Sequence, residues 1–284
     1  MLHMKIVHRI QSVIFALALV IVSMIFAFGQ ESPEAAQAKK ERIEAERLWE
    51  QMVKVKGGRE KLHSISNMML TKGNNPDGIQ MEFYVFPNKY WEWSKDQGLH
   101  NLMFVTMANL DQGLFLVAGH NGLATDLKNL SEKERADYRE TYLIEACTFL
   151  LETRWLKPTP IRVTQEIVNK ERLDVVETRF STLEYYRGWG LDFYIDPETL
   201  VVRGVRDYSI PWGRGGYWAF DNYSAINGIQ VPQTANRFLS MKDVKKLNCC
   251  IQTYQFNVEY DEKLFERQPS AEAGPDAWKP KAKP

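Results

Sequence analysis

The chain has 284 residues, of which 44% are hydrophobic and 12% aromatic, and Lys plus Arg equal Asp plus Glu at 36 each. This length suits one large β domain or two small ones, and the many flat side chains favour sheets over a helical bundle. Because the charge is balanced, the chain lacks the basic excess that neutralises phosphates, and no nucleic acid is expected as a partner.

The N-terminal residues 1–29 have the pattern of a secretory signal peptide. Lys5 and Arg9 precede the apolar run of residues 13–28, which ends in the small residues of Ala27-Phe28-Gly29. We therefore expect a periplasmic protein. The alternative is an uncleaved inner-membrane anchor, although the run is shorter than the roughly 20 residues of a spanning helix.

A polar segment, residues 30–40, is predicted to be a flexible leader. An amphipathic helix follows from about Glu41 and ends at Gly57-Gly58, since glycine tolerates the left-handed closing conformation. The apolar residues at helical spacing are Ala45, Leu48, Trp49 and Met52. Such a stripe must be buried, so this helix is expected to lie on a sheet.

Alternating apolar and polar residues then predict a first group of strands. In the second strand, Met81, Phe83 and Val85 share one face. The predicted strands are Met68–Lys72, Ile79–Phe86, Lys89–Lys95, His100–Asn109 and Gly113–Ala118. Ser131 and Glu134 match a capping box that begins a second helix, predicted to continue to about Thr153.

The remaining strands include the most regular part of the chain, from Gly190 to Phe238. Here we predict four antiparallel strands with tight turns at Asp196-Pro197-Glu198-Thr199 and at Asn227-Gly228. In the first of them, Leu191, Phe193 and Ile195 alternate with polar residues, which is typical of a half-buried strand. The flanking strands are Ile161–Val168, Arg172–Ser181 and Tyr254–Tyr260. Residues 41–267 are predicted to form one domain, and residues 268–284 a disordered tail.

The three cysteines permit two interpretations. Cys147 could pair with Cys249 or Cys250, because an exported protein can form disulfides. Alternatively, the cysteines are buried as small apolar side chains. No spacing of these residues indicates a metal site.

Groups that could carry catalysis are few. His63, His100 and His120 are the histidines outside the signal segment, and no nucleophile or phosphate-binding motif accompanies them. Asp192, Asp196 and Asp207 are predicted to be solvent-facing strand and turn residues rather than a metal or acid–base site. The glycine-rich stretch at Trp212 is predicted to be a surface loop. We therefore expect a protein that is not an enzyme and that needs no cofactor or metal.

Several short motifs together resemble a known family. They are the helix closed by Gly57-Gly58, the interruption Phe86-Pro87-Asn88-Lys89-Tyr90, the helix after Leu130-Ser131, the segment Tyr194–Thr199 and the segment Tyr223–Pro232. The pattern resembles the periplasmic outer-membrane lipoprotein carrier superfamily, the LolA/LolB-like lipoprotein-sorting proteins, over about residues 44–266.

The resemblance implies a fold of mainly antiparallel β (α+β) class. This is a strongly curved, unclosed barrel of about eleven strands covered by an N-terminal and a mid-chain helix, with an apolar hollow for acyl chains. In the carrier, a basic residue before the corresponding Pro-Asn helps to hold the helical lid shut. Phe86 stands at that position here, so the resemblance does not extend to that latch.

The expected function is therefore to bind or carry a lipid or a lipid-modified protein, as a monomer with transient membrane contact. Each buried methylene contributes about 0.8 kcal/mol to binding, so an apolar lining is sufficient to hold an acyl chain. The candidate lining residues are Phe83, Val85, Phe86, Trp91, Trp93, Tyr254, Phe256 and Val258. The alternatives are a non-enzymatic envelope sensor that binds another envelope protein and, more weakly supported, a hydrolase.

Overall fold

Strands dominate the described part of the molecule, and helices flank them. The structure, a computed structural model, describes residues 32–75, 78–96, 103–118, 124–186, 188–207, 216–238, 251–266 and 274–280. The helices are α1 (Pro33–Lys56), α2 (Arg59–His63), α3 (Glu132–Leu150) and a 3-10 helix (Glu262–Phe265). The strands are β1 (Asn67–Asn75), β2 (Gly78–Val85), β3 (Lys89–Asp96), β4 (Met103–Asn109), β5 (Leu114–Ala118), β6 (Ala124–Asn129), β7 (Thr159–Val168), β8 (Glu171–Arg179), β9 (Leu191–Ile195), β10 (Val202–Asp207), β11 (Gly216–Ile226), β12 (Ile229–Phe238) and β13 (Ile251–Phe256). Residues 44–284 form a unit of their own, and the contacts reported below lie within it, apart from the hydrogen bond at the start of α1.

Helix α1 begins earlier than the sequence pattern predicted. The Ser32 hydroxyl accepts a hydrogen bond from the Ala35 N–H at 3.1 Å, and Pro33 takes the first helical position, where a missing N–H costs nothing. The Ala, Gln and Lys residues that follow are strong helix formers. Residues 33–40 are therefore helical, which corrects the flexible leader expected over residues 30–40. The helix ends before Gly57 and Gly58, as predicted, and both have positive φ.

The strands form one antiparallel sheet in the order β6-β5-β4-β3-β2-β1-β13-β12-β11-β10-β9-β8-β7. Two six-stranded meanders, β1–β6 and β7–β12, are joined through β13. This strand pairs with β1 over six residues and with β12 at Thr234 and Ile251. The outermost strands β6 and β7 do not pair with each other among the described residues, so the barrel is unclosed, as the resemblance implied. The described sheet has thirteen strands rather than about eleven.

Both predicted turns of the Gly190–Phe238 region are confirmed. The Asp196 carboxylate accepts hydrogen bonds from the N–H groups of Glu198 (2.9 Å) and Thr199 (3.0 Å). Asn227 and Gly228 have φ of 53° and 75°, the left-handed pair that a two-residue hairpin requires. Because these turns set the register, β9–β12 pair as consecutive hairpins.

The inner face of the sheet packs against α1 and α3, and it holds the largest core cluster. The Trp49 ring of α1 meets the Phe193 ring of β9 at 5.2 Å, and Tyr142 of α3 stacks on Tyr90 of β3 at 4.4 Å. The Ser131 capping box that begins α3 is present as predicted. Helix α3 ends at Leu150, before the predicted Thr153.

The outer face of the sheet is also covered. Over β1–β5 it carries a second apolar cluster, into which the C-terminal segment inserts Phe265 and Trp278. The Trp278 ring lies 6.0 Å from that of Phe83 and is only 7% exposed. Residues 274–280 therefore pack against the sheet, unlike the disordered tail expected over residues 268–284; the rest of that range lies outside the described residues. A third cluster occupies the outer face of β7, β8, β9 and β11.

Several sequence predictions concern residues outside the described ranges. These are the signal peptide of residues 1–29, His100, His120, the Trp212 loop, Cys249 and Cys250. Among the described residues, no helix has both the length and the apolar character of a membrane span. Cys147 is a free, fully buried thiol; because Cys249 and Cys250 lie outside the description, the pairing question stays a prediction.

Candidate functional site

A cavity of about 350 Å³ lies on the inner face, between the sheet and helix α3. Its volume falls at the lower end of the ~300–1,000 Å³ that ligand sites usually have. Its walls come from β1–β3, α3, β11 and β12. The lining residues are Lys72, Gln80, Glu82, Tyr84, Tyr90, Glu92, Glu145, Thr148, Phe149, Trp218 and Arg237. Charged groups and aromatic rings thus line this cavity together, whereas the resemblance implied an apolar hollow.

The period of two along β2 explains why polar groups meet here. Gln80, Glu82 and Tyr84 share the face opposite to the apolar Met81, Phe83 and Val85, which point to the outer face. The register places Glu82 of β2 directly opposite Glu92 of β3. Like charges at directly opposed positions destabilise a sheet. These two carboxylates therefore need other groups nearby to offset their repulsion.

A hydrogen-bond network holds these two carboxylates in place. The Gln80 amide donates to both, at 2.9 Å to Glu82 and 2.8 Å to Glu92. The Tyr84 hydroxyl donates to Glu82 at 3.0 Å, and the Tyr90 hydroxyl donates to Glu92 at 3.2 Å. The ammonium of Lys72 forms an ion pair with Glu82. The network therefore presents oxygen acceptors at fixed positions on the cavity wall.

Helix α3 adds a third carboxylate from the other side of the cavity. The Glu145 carboxylate lies 3.4 Å from the Tyr84 hydroxyl. Burial raises the pKa of Glu145 to about 8, and the negative charge of Glu82 adds to this shift, whereas Lys72 opposes it. Burial, followed by the charge of Glu82, also raises the pKa of Glu92. Near neutral pH, Glu145 therefore retains its proton.

Aromatic rings line the same cavity, close to the Lys72–Glu82 ion pair. The rings of Phe149 and Trp218 meet edge to face at 5.5 Å. The Lys72 ammonium lies 5.5 Å from the centre of the Trp218 ring and 6.0 Å from that of Phe149. The Arg237 guanidinium lies 5.8 Å from the Trp218 ring. A site of this kind can hold a molecule that is polar at one end and apolar at the other.

The predicted lining residues separate onto the two faces of the sheet. Phe83, Trp91 and Trp93 lie in the outer cluster, with Val85 and Val258 packed against it. Tyr254 and Phe256 belong to the inner core, and Phe86 packs against that core. None of the eight lines the cavity described above. The binding of a lipid to any of them stays a prediction.

Phe86 stands where the carrier has its basic latch residue, and it makes an apolar contact. Its ring lies 5.5 Å from that of Trp155, in the segment after α3. The ionic connection between the helices is made instead by Glu152, which is fully buried. It accepts hydrogen bonds from Trp49 of α1 and Arg59 of α2.

The three aspartates singled out in the sequence serve the sheet and its turns. Asp192 is buried on the outer face and pairs with Arg206 at 2.7 Å. Asp207, also buried, lies 3.9 Å from Arg237. The solvent-facing position expected for these two is therefore wrong, because Asp192 lies on the covered outer face and Asp207 lies on the inner face, opposite Leu191 of β9. Asp196 is the turn residue that was predicted. Within the described ranges, no group of three or more His, Cys, Asp or Glu side chains could hold a metal ion.

The cavity carboxylates were missed in the sequence, although one signal was present. Glu145 lies three residues after Tyr142 and four before Phe149, in the middle of the apolar stripe of α3. A charged residue at such a position faces the core and needs an explanation. The glutamates of β2 and β3 gave no such signal, because polar residues that alternate along a strand normally face water.

No family model matches this chain, and no curated protein matches it. Similar solved structures include a DUF1329 family protein from Desulfovibrio piger, with 8% identity, a TM-score of 0.40 and coverage of 78% of this chain and 96% of that one. An outer-membrane lipoprotein-sorting protein domain from Vibrio parahaemolyticus has 10% identity, a TM-score of 0.34 and coverage of 76% and 97%. A LolA superfamily protein from Nitrosomonas europaea has 11% identity, a TM-score of 0.39 and coverage of 76% and 96%. The last two carry the names that the sequence resemblance predicted. Similarities of this size assign no ligand and no activity to this chain.

Proposed function

We propose that this chain is an exported, non-enzymatic binding protein for an amphipathic, lipid-like molecule. The polar end of the ligand lies beside the carboxylates of β2, β3 and α3, and the chain that begins next to it lies along the neighbouring rings of Phe149 and Trp218. The observation that carries this proposal is the pairing of fixed carboxylates with an aromatic wall in a single cavity. The signal-like residues 1–29 support export to the periplasm.

The size of the cavity limits what it holds. At about 350 Å³ it takes a head group and part of one chain, not several long acyl chains. Each methylene buried against the rings contributes about 0.8 kcal/mol. A short chain therefore binds weakly and reversibly, which suits a protein that must release its ligand again. Delivery of the ligand to a membrane or to an envelope protein would follow from such release.

Binding of eight-carbon probes to the purified full chain tests this proposal. We expect n-octylammonium, n-octanol or n-octanoate to give saturable heats in isothermal titration calorimetry. Gln80→Trp places a large ring in the cavity and should weaken binding at least tenfold. Ile79→Trp is the matched control, because the neighbouring residue points to the other face of the strand and is already 41% exposed.

The two variants must first show the circular dichroism spectrum of the parent chain, since overpacking costs about 1–3 kcal/mol. The proposal is overturned when none of the three probes binds to the parent chain. It is also overturned when a folded Gln80→Trp variant binds as tightly as the Ile79→Trp control.

A further inference from the structure

The charges that line the cavity do not balance. Three carboxylates converge on it, from Glu82, Glu92 and Glu145, and the Lys72 ammonium engages Glu82. The other lining cation, Arg237, forms an ion pair with Asp207 at 3.9 Å. With all three glutamates ionised, the cavity would therefore carry an excess of negative charge.

Within the described residues, the partners of the other two carboxylates are neutral. Glu92 accepts hydrogen bonds from Gln80 and Tyr90, and Glu145 lies beside the Tyr84 hydroxyl. Neutral donors orient a carboxylate but do not cancel its charge. Burial and the charge of Glu82 raise the pKa of both groups, which favours their protonated, uncharged forms. A proton thus occupies the place that a cation could take.

The aromatic wall indicates which cation this would be. The cavity already accommodates one primary ammonium, that of Lys72, within 6.0 Å of both the Phe149 and Trp218 ring centres. Electron-rich ring faces attract organic cations, and the attraction grows where water is excluded. A metal ion would need several converging oxygen or nitrogen ligands, and the described residues do not provide such a group. An alkylammonium group needs only one or two carboxylates and a ring face.

We propose that the cavity recognises the protonated amine of its amphipathic ligand, and that Glu145 releases its proton when this ammonium group binds. The inference rests on the proposed function and names the chemistry of the head group. The exchange is balanced: one ammonium enters, the O–H bond of the Glu145 carboxyl group breaks, its proton passes to the solvent, and no other covalent bond of the protein or the ligand changes. The total charge of the cavity is unchanged.

The surroundings of Glu145 make it the group that exchanges its proton. In the part of the chain that the structure describes, its carboxylate has a single long contact, 3.4 Å to the Tyr84 hydroxyl, whereas Glu92 accepts hydrogen bonds from both Gln80 and Tyr90. The titratable or charged groups that face it are Lys72 of β1, Glu82 and Tyr84 of β2, Glu92 and Tyr90 of β3, Tyr142 of α3 and Arg237 of β12. Burial raises the pKa of all three tyrosines, so they remain neutral hydroxyls. Glu145, with a pKa of about 8, is the acid that titrates near neutral pH.

Calorimetric titration of the full chain with n-octylammonium and n-octanol tests this inference. We expect n-octylammonium to bind at least roughly tenfold more tightly, because a charge-assisted hydrogen bond is stronger than a neutral one. Titration in two buffers that differ in ionisation enthalpy should reveal release of about one proton at pH 7. Below a pKa of about 8 the affinity should rise roughly tenfold per pH unit, because the amine stays protonated while Glu145 must lose its proton.

Glu145→Gln keeps the shape of the protonated acid and should abolish both the proton release and the pH dependence. Glu132→Gln, an exposed position at the start of the same helix, is the matched control and should leave both unchanged. Equal affinity for n-octanol and n-octylammonium overturns the amine inference while the proposed function stands. Binding of n-octylammonium without proton release in the parent chain also overturns it. Absence of binding by every probe overturns both proposals.

Discussion

Glu152 joins the helical elements to each other, and its replacement gives the sharpest test of the fold. The carboxylate is 0% exposed. It accepts hydrogen bonds from Trp49 Nε1 at 3.0 Å and from Arg59 Nε at 2.6 Å, and His63 Nε2 lies 3.1 Å away. Three elements therefore depend on one charge: α1, α2 and the segment after α3. We expect Glu152→Gln to destabilise the protein substantially while preserving its shape.

The size of the effect follows from these contacts. Glutamine offers one carbonyl oxygen where the carboxylate offers two, so at least one donor loses its acceptor, and Arg59 loses a buried counter-ion. A hydrogen bond to a charged group contributes about 1.5–3 kcal/mol, and removal of one partner of a buried pair costs about 3–5 kcal/mol. Arg59 is 37% exposed and keeps Glu50 as a partner, so part of the loss is recovered. We expect a decrease of about 2–3 kcal/mol in the free energy of unfolding.

The same contacts predict how this decrease depends on pH. Burial raises the pKa of Glu152, but the hydrogen bonds from Arg59 and Trp49 together with the charge of Arg59 outweigh it, and the net shift is downward. A carboxyl group whose pKa is lowered on folding stabilises the protein fully above its unfolded pKa. The stabilisation is lost as the pH falls through the folded pKa. The difference between parent and variant should therefore be full at pH 7 and shrink below about pH 4.

Urea unfolding at pH 7 and at acidic pH measures this difference. Glu50→Gln is the matched control, because Glu50 binds the same Arg59 at 2.8 Å but is 52% exposed. An exposed pair of this kind contributes less than about 1 kcal/mol. The assignment of Glu152 as the connecting charge is refuted when the two variants lose the same stability at pH 7, or when the difference persists unchanged at low pH.

Two further predictions concern a buried lysine and the C-terminal segment. Lys56 is 6% exposed, and burial lowers its pKa to about 7, so the unfolded chain binds more protons between about pH 7 and 10. The free energy of unfolding should therefore rise with pH across that window. In urea unfolding at pH 7, Lys56→Met should raise it by about 1–4 kcal/mol. The control variant Lys54→Met, at an exposed position of the same helix, should change it by close to zero. Destabilisation by Lys56→Met, or a flat pH profile of the parent, would contradict this. Trp278→Ala should cost about 2–4 kcal/mol in the same assay, because it empties a buried site beside Phe83, whereas Lys279→Ala should change less than about 0.5 kcal/mol. Equal losses in these two variants would mean that the segment is not anchored.

Local chemistry made the strand order and the turns of β9–β12 predictable. A two-residue Asn-Gly turn and an Asp-Pro turn each have few backbone solutions, and each forces its two strands to pair as a hairpin. The end of α1 was predictable for the same reason, since Gly57 and Gly58 adopt backbone angles that other residues avoid. The start of α1 differs from the prediction because a polar segment is not necessarily flexible, and the residues that follow Pro33 are strong helix formers.

The tail shows a different limit of sequence reasoning. Residues 268–284 have the composition of a disordered segment, rich in proline and small residues. Trp278 lies within it, and a single large ring can anchor a short segment when a matching apolar surface is available. That surface is the outer face of β1–β5, which includes Phe83. The sequence pattern alone does not reveal that this face is free to receive the ring.

The position of the cavity was also not predictable from the sequence pattern, because the sheet is covered on both faces. Alternation along β2 divides its side chains into two sets but does not say which set faces the helices. The apolar set, which contains Phe83, was assigned to the hollow; the structure places it under the C-terminal segment. The polar set, which contains Glu82, was assigned to water and lies instead under α3. Strand β9 shows the same effect, because Asp192 alternates with apolar residues as in a half-buried strand and is nevertheless fully buried. In such a sheet, a carboxylate within the apolar stripe of a covering helix is the better guide to the site, and Glu145 of α3 is the one that the sequence pattern reveals.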